Sequence, residues 1–166
     1  MEEHGTHLFR SAPTAPDIRP ADTVEDENLR YVLGHWRALK GARAMPARAD
    51  FTPRDLKRCL PVVHIYDVID GCADFRARLV GTGVYPGLDE DQTGKLVSEH
   101  PDPGVRFRFA LVLRHVAETA EPARSVSYRR TGSLLHDMRT EGLWLPLGQA
   151  DRVENILAIS ALKAPA

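Results

Sequence analysis

Val62-Val63-His64-Ile65-Tyr66-Asp67-Val68-Ile69, then Asp70-Gly71-Cys72-Ala73-Asp74, then Phe75-Arg76-Ala77-Arg78-Leu79-Val80-Gly81-Thr82-Gly83: the reading of these consecutive stretches decides the fold. Two segments rich in β-branched and aromatic residues, joined by a short Asp/Gly loop and closed by Gly-Thr-Gly, predict an antiparallel hairpin. The first segment is apolar at almost every position and the second alternates only in part. The hairpin is therefore expected inside a sheet with material on both faces.

Upstream of the hairpin, residues 1–21 contain Gly5, Pro13, Pro16 and Pro20 with no hydrophobic period, and are expected to form a mobile leader. Residues 22–166 then make a single domain. Asp22-Thr23 followed by Glu25, Asp26 and Glu27 reads as an N-cap with acids in the first turn, where the helix dipole favours negative charge. That helix is expected to run to Lys40 and stop at Gly41. Its apolar residues Leu29, Val32, Leu33 and Trp36 fall within about 60° of arc, a narrow stripe that either covers the sheet or pairs with a second chain. Pro46 makes the stretch from Arg43 to Phe51 extended. Thr52-Pro53 then opens a short helix over Arg54–Cys59.

Downstream, residues 84–99 form a Gly/Asp/Pro-rich connection containing Tyr85-Pro86-Gly87, long enough to be a functional loop. From Pro103 to Glu118 the residues Val105, Phe109, Val112 and Val116 keep a helical period, and their stripe should lie on the sheet. Ala123–Arg130, Leu134–Leu147 and Arg152–Leu162 read as three further strands separated by turns. The order of helix, two strands, helical segment and three strands predicts an α+β fold. It has one five-stranded antiparallel sheet, with helices inserted between strands 2 and 3 and an N-terminal helix flanking the sheet.

The chain has 166 residues, 43% of them apolar and 27% charged, which fits one globular domain with a real core and excludes a wholly disordered chain. A net charge of −1 gives no global attraction to nucleic acid or to an anionic membrane. The charge is uneven, however. Arg37, Lys40, Arg43, Arg48, Arg54, Lys57 and Arg58 stand against only Asp50 and Asp55, so this basic stretch is where an anionic partner or ligand, such as a phosphate-bearing nucleotide, would dock. Cys59 and Cys72 lack paired spacing and are expected as free thiols. With no signal peptide and no apolar run of membrane-spanning length, a cytoplasmic protein is expected.

Several segments together carry a family resemblance: Tyr31 to Trp36 with Arg43, Pro46-Ala47-Arg48-Ala49-Asp50-Phe51-Thr52-Pro53, Leu60-Pro61, Asp67-Val68, Phe75 to Thr82, Thr93-Gly94-Lys95 and Leu145-Pro146-Leu147. In this order and spacing they resemble a bacterial PAS-like family of small single-domain proteins, from Leu29 to about Leu162. The resemblance implies a sheet with a cleft on one face, roofed by the 84–118 segment. It also implies a signalling or sensory module that binds a small ligand or a protein partner, and that commonly pairs as a homodimer through the helix before the first strand. Since the chain ends with its last strand, a signal is expected to leave by contact with another signalling protein.

Catalytic chemistry is not indicated. No Gly-x-Ser-x-Gly elbow or cysteine-nucleophile signature occurs, and Gly81-Thr82-Gly83 does not open a helix as a dinucleotide fingerprint would. The histidines are dispersed, which argues against a metal site. No cofactor is specified. Haem-binding PAS domains place a histidine on the helix facing the cleft, which singles out His115, although it projects about 80° from the apolar stripe and reads better as a boundary residue. Flavin photosensor PAS domains use a cysteine in the connection before that helix, and residues 84–102 contain none.

The ligand candidates are Arg78, Tyr66, Tyr85, Arg48 and His115, with Arg78 either reading an anion in the cleft or paired to Asp50 or Asp67. The interaction candidates are Leu29, Val32, Leu33, Trp36 and Arg43. A non-enzymatic sensory module is the first reading and a pure interaction adaptor with a filled cleft is the alternative. A small enzyme is the third.

Overall fold

The computed structural model describes residues 15–83, 91–131 and 136–163. Its elements are β1 (Asp17–Pro20), α1 (Glu27–Lys40), β2 (Val63–Ile69), β3 (Asp74–Val80), α2 (Pro103–Thr119), β4 (Ala123–Thr131), β5 (His136–Gln149) and β6 (Arg152–Lys163). The strands form one sheet in the order β1-β4-β5-β6-β2-β3, antiparallel throughout. The α+β architecture expected from the sequence is present, with one strand more than the five expected.

That extra strand lies in the expected mobile leader. Asp17–Pro20 pairs with Val126–Ala123 at the edge of the sheet. Four residues are too few to show a period-2 pattern. Pro20 also raised the expectation of irregular chain, yet proline is tolerated on an edge strand where no ladder donor is needed.

Alternation along β5 assigns the two helices to opposite faces of the sheet. Glu141, Leu143 and Leu145 share the face that carries α1, because Glu141 contacts the backbone entering that helix. Gly142 and Trp144 share the other face, where the Trp144 ring meets Phe109 of α2. Burial is accordingly unbroken from Glu141 to Gly148. The hairpin has material on both faces only in part: β2 starts fully buried, whereas Arg76, Arg78 and Leu79 of edge strand β3 are exposed.

α1 begins later than the acidic run suggested. Ala21–Thr23 is a 3-10 turn, and the N-cap is Asp26, whose carboxylate accepts from the amides of Asn28 and Leu29. The stripe Leu29, Val32, Leu33 and Trp36 is 0–3% exposed. It is consumed inside the chain, and this corrects the expectation that these residues present an interaction surface. Trp36 also donates its indole N–H to the Pro146 carbonyl at 2.9 Å, so the polar end of the ring is satisfied where its body is buried.

The expected Arg54–Cys59 helix is instead a run of turns closed by i→i+3 bonds, among them Asp55 N–H to Thr52 O and Cys59 N–H to Leu56 O. The Asp55 carboxylate accepts from both the amide and the hydroxyl of Thr52, tightening the first turn, and Pro61 prevents continuation. Gly81 and Gly83 owe their identity to packing. Their amides donate to Val63 O and Pro61 O at 2.7 Å, and a Cβ on Gly81 would collide with the Pro61 carbonyl. The Gly-Thr-Gly is thus a strand end pressed on the 3-10 turn Leu60–Val62.

Because Trp36 is covered by its own sheet, Trp36→Ala is expected to lower unfolding stability by roughly 3–5 kcal/mol with no change in solution mass. Urea denaturation with light scattering checks both. A folded variant of wild-type stability but halved mass would show that the ring serves an interface between copies.

Candidate functional site

β2 puts His64 and Tyr66 two residues apart and therefore on the same face, the face that α2 covers. The Tyr66 hydroxyl lies 3.1 Å from Nδ1 of His64, with the two rings stacked at 5.8 Å. Phe109, projecting from α2, meets His64, Tyr66 and Trp144 edge-on at centroid distances of 6.2, 6.1 and 5.5 Å. The Trp144 indole is fixed in turn by donating to Ser125 Oγ at 2.7 Å. This aromatic wedge fills the space between helix and sheet.

What remains is a cavity of about 20 Å³ bordered by His64, Tyr66, Gln92, Lys95, His100 and Phe109. That is room for about one water molecule. Its lining is largely apolar, with Ala77, Val80, Leu96, Val97 and Val105, but includes the buried polar residues His64, Gln92 and His100. Burial pushes the His64 imidazole down to about 3. Burial also lowers His100, against the raising effect of Asp102, whose amide donates to His100 Nδ1 at 3.0 Å. Both rings are therefore neutral at physiological pH.

The residues singled out from the sequence are dispersed. Tyr66 borders the cavity. Arg78 does not: it lies exposed on the opposite side of β3, its Nε 2.9 Å from Asp67 Oδ1, while Asn155 donates to the same oxygen at 2.6 Å. The register skips Arg78 between Leu79 and Ala77, and alternation puts it with Arg76 on the side of Asp67, so of its two expected roles the Asp67 pair is the one present. Arg48 sits half-buried in the 3-10 turn Arg48–Asp50 and does not border the cavity. Tyr85 lies outside the described residues. His115 faces outward on α2 and lines a separate open groove of about 750 Å³, with Trp36, Arg37 and Lys40 of α1 and Arg19 near the sheet edge.

The basic stretch is likewise divided. Arg43 is committed to Asp50 at 2.8 Å and to the Leu39 carbonyl at the end of α1, and Arg58 lies over the Tyr31 ring at 5.2 Å. Arg37 and Lys40 share the His115 groove with the acids Asp22 and Glu121. Neither cysteine is in a disulfide, and burial raises both thiols, so they resist ionisation. Among the described residues no group of His, Cys, Asp or Glu is placed to hold a metal ion, and no helix is long and apolar enough to cross a membrane.

Sequence reasoning missed His64, Gln92 and His100. The alternation that pairs His64 with Tyr66 was available in β2. Gln92 and His100 sit in irregular chain, where no period points to an interior.

The family model PAS_5, described as PAS domain, matches residues 24–160. No curated protein matches the sequence. Among solved structures, an RNA-binding Light-Oxygen-Voltage receptor is similar at 14% identity with a TM-score of 0.45, over 91% of this chain and 39% of that one. The chain thus spans less than half the length of that receptor.

The buried histidine makes stability depend on pH in a defined sense. The unfolded chain takes up a proton at His64 below about 6.5, the folded chain only near 3, so stability present above pH 6.5 is lost as pH falls. The slope from this one residue reaches about 1.4 kcal/mol per pH unit between those limits. In urea unfolding at successive pH values, His64→Gln should flatten the loss between pH 6 and 4, whatever its own baseline. Parallel curves for wild type and variant would contradict the burial assigned to His64.

Proposed function

The chain belongs to the PAS domain family, and from that premise we propose that it is a non-enzymatic signalling module whose cleft is filled by its own side chains and which relays by contact with a protein. The observation supporting this is the wedge of Phe109 against His64, Tyr66 and Trp144, which leaves about 20 Å³ where a PAS domain would hold a ligand. Small-molecule pockets occupy roughly 300–1,000 Å³. Signalling therefore has to use the outer surface.

A second reading has one observation in its favour. The largely apolar lining of the cavity also carries His64, Tyr66, Gln92, Lys95 and His100, polar groups that could orient a small ligand. A sensor of a small polar molecule would use them, provided that the helix lifts to enlarge the space.

Native mass spectrometry of the purified protein separates the two. The filled-cleft reading predicts the bare polypeptide mass of 18.5 kDa per chain, with no adduct. A tightly held organic adduct that is lost on denaturation would replace it with the sensor reading.

A further inference from the structure

On its outer side α2 borders a groove of about 360 Å³, shared with the start of β3 and the 3-10 turn Val97–Glu99. Pro103, Arg106, Phe107, Ala110 and Arg114 line it from the helix. They fall at i, i+3, i+4, i+7 and i+11, which is one helical face roughly 16 Å long. The floor includes Phe75 and Val97, both buried. Phe107 is 40% exposed, and Leu111, one turn further on, is 37% exposed. An apolar rim this open on a helix that otherwise buries its stripe has no role in the core.

The side-chain charges on the helix side of the groove are both positive, and that of Arg114 is uncommitted among the described residues. Arg106 and Arg114 flank Phe107 along the helix, and Arg106 also donates to the His100 carbonyl at 2.6 Å. The acid in the groove wall, Asp74, is occupied by the amides of Phe75 and Ser98 and by the Ser98 hydroxyl. Glu118 lies one turn beyond Arg114, past the end of the groove lining.

We propose that this groove docks an acidic segment of a partner protein that inserts one apolar side chain between Arg106 and Arg114. The inference rests on the reading that the module acts by protein contact, and it names the chemistry of the partner. Guanidinium groups pair carboxylates in a fixed bidentate geometry, and stay charged throughout the accessible pH range. Docking is thus sensitive to salt, and changes with pH only where the partner's carboxylates protonate, below about pH 5. Exposed apolar residues between arginines also occur on helices that lie on membranes. Here, however, they edge a concavity floored by Phe75 and Val97, a shape that receives an inserted side chain better than a flat bilayer does.

The test uses the full chain and two short fluorescein-labelled peptides: one of Asp and Glu around a central Leu-Trp pair, and a twin with every acid replaced by Lys. Fluorescence anisotropy should show binding of the acidic peptide and not of its twin. Arg114→Glu should weaken the acidic peptide by about tenfold or more and admit the Lys twin, and Phe107→Ser should weaken it comparably. Both positions are exposed, and circular dichroism verifies that the variants are folded. Equal binding of the two peptides, or acidic-peptide binding that survives both substitutions, overturns the groove while leaving action by protein contact standing. Sedimentation of the protein with phosphatidylserine vesicles, lost on Arg114→Glu, overturns it by assigning the surface to lipid. A tightly held organic adduct in the native mass spectrum overturns the broader reading, whatever the peptides do.

Discussion

One carboxylate fixes how the layers of this protein meet. Glu141 is fully buried on the α1 side of β5. One of its oxygens accepts from the Glu25 amide at 2.7 Å and from Arg124 Nε at 2.7 Å, and the other accepts from the Asp26 amide at 3.1 Å. A buried ionised carboxylate is costly unless it is paired and hydrogen-bonded, and here four groups of three elements converge on it or its partners. Arg124, also buried, reaches Glu25 with Nη2 at 3.0 Å, and Arg139 reaches the same residue at 3.2 Å. The chain between β1 and α1 is thereby stitched to the middle of the sheet, and the N-cap Asp26 is placed where α1 must start.

With its N-terminus held there, α1 has to lay Leu29, Val32, Leu33 and Trp36 across β5 and β6, and Trp36 ends against the Pro146 carbonyl. The stripe is no longer available to a second copy. On the other face, α2 lowers Phe109 into the space between β2 and β5, and the cleft closes. The central part of both faces of the sheet is thus used internally. Among the described residues, the helices offer outward the polar and basic flank of α1 and the exposed Phe107 and Leu111 of α2.

Much of this was legible in the sequence, and the omissions have physical reasons. The hairpin, α2 and the last three strands follow from period and turn residues alone, because each is long enough to show its pattern. β1 is four residues long and proline-bounded, so no pattern could declare it. The start of α1 was placed four residues early because Asp22 and Asp26 carry equal capping chemistry; the choice between them is made by Glu141, 115 residues from Asp26 in sequence. Arg78 had two readings, an anion site or an ion pair with Asp50 or Asp67, and alternation with Ala77 puts it on the side of Asp67, with which it pairs. The buried polar residues of the cavity were missed for a different reason. His64 stands in an apolar strand, and whether such a histidine faces a core or a cleft depends on what the opposite helix inserts.

The claim that Glu141 organises the two layers is tested most directly by a double-mutant cycle in urea unfolding with Glu141→Gln, Arg124→Met and the pair together. Removing either partner alone leaves the other buried and unmatched, which should cost on the order of 3 kcal/mol. The double variant should then fall short of the sum of the single losses by more than about 1 kcal/mol. Single losses below about 0.5 kcal/mol that simply add would contradict the account, and would mean that α1 is held by its apolar stripe alone.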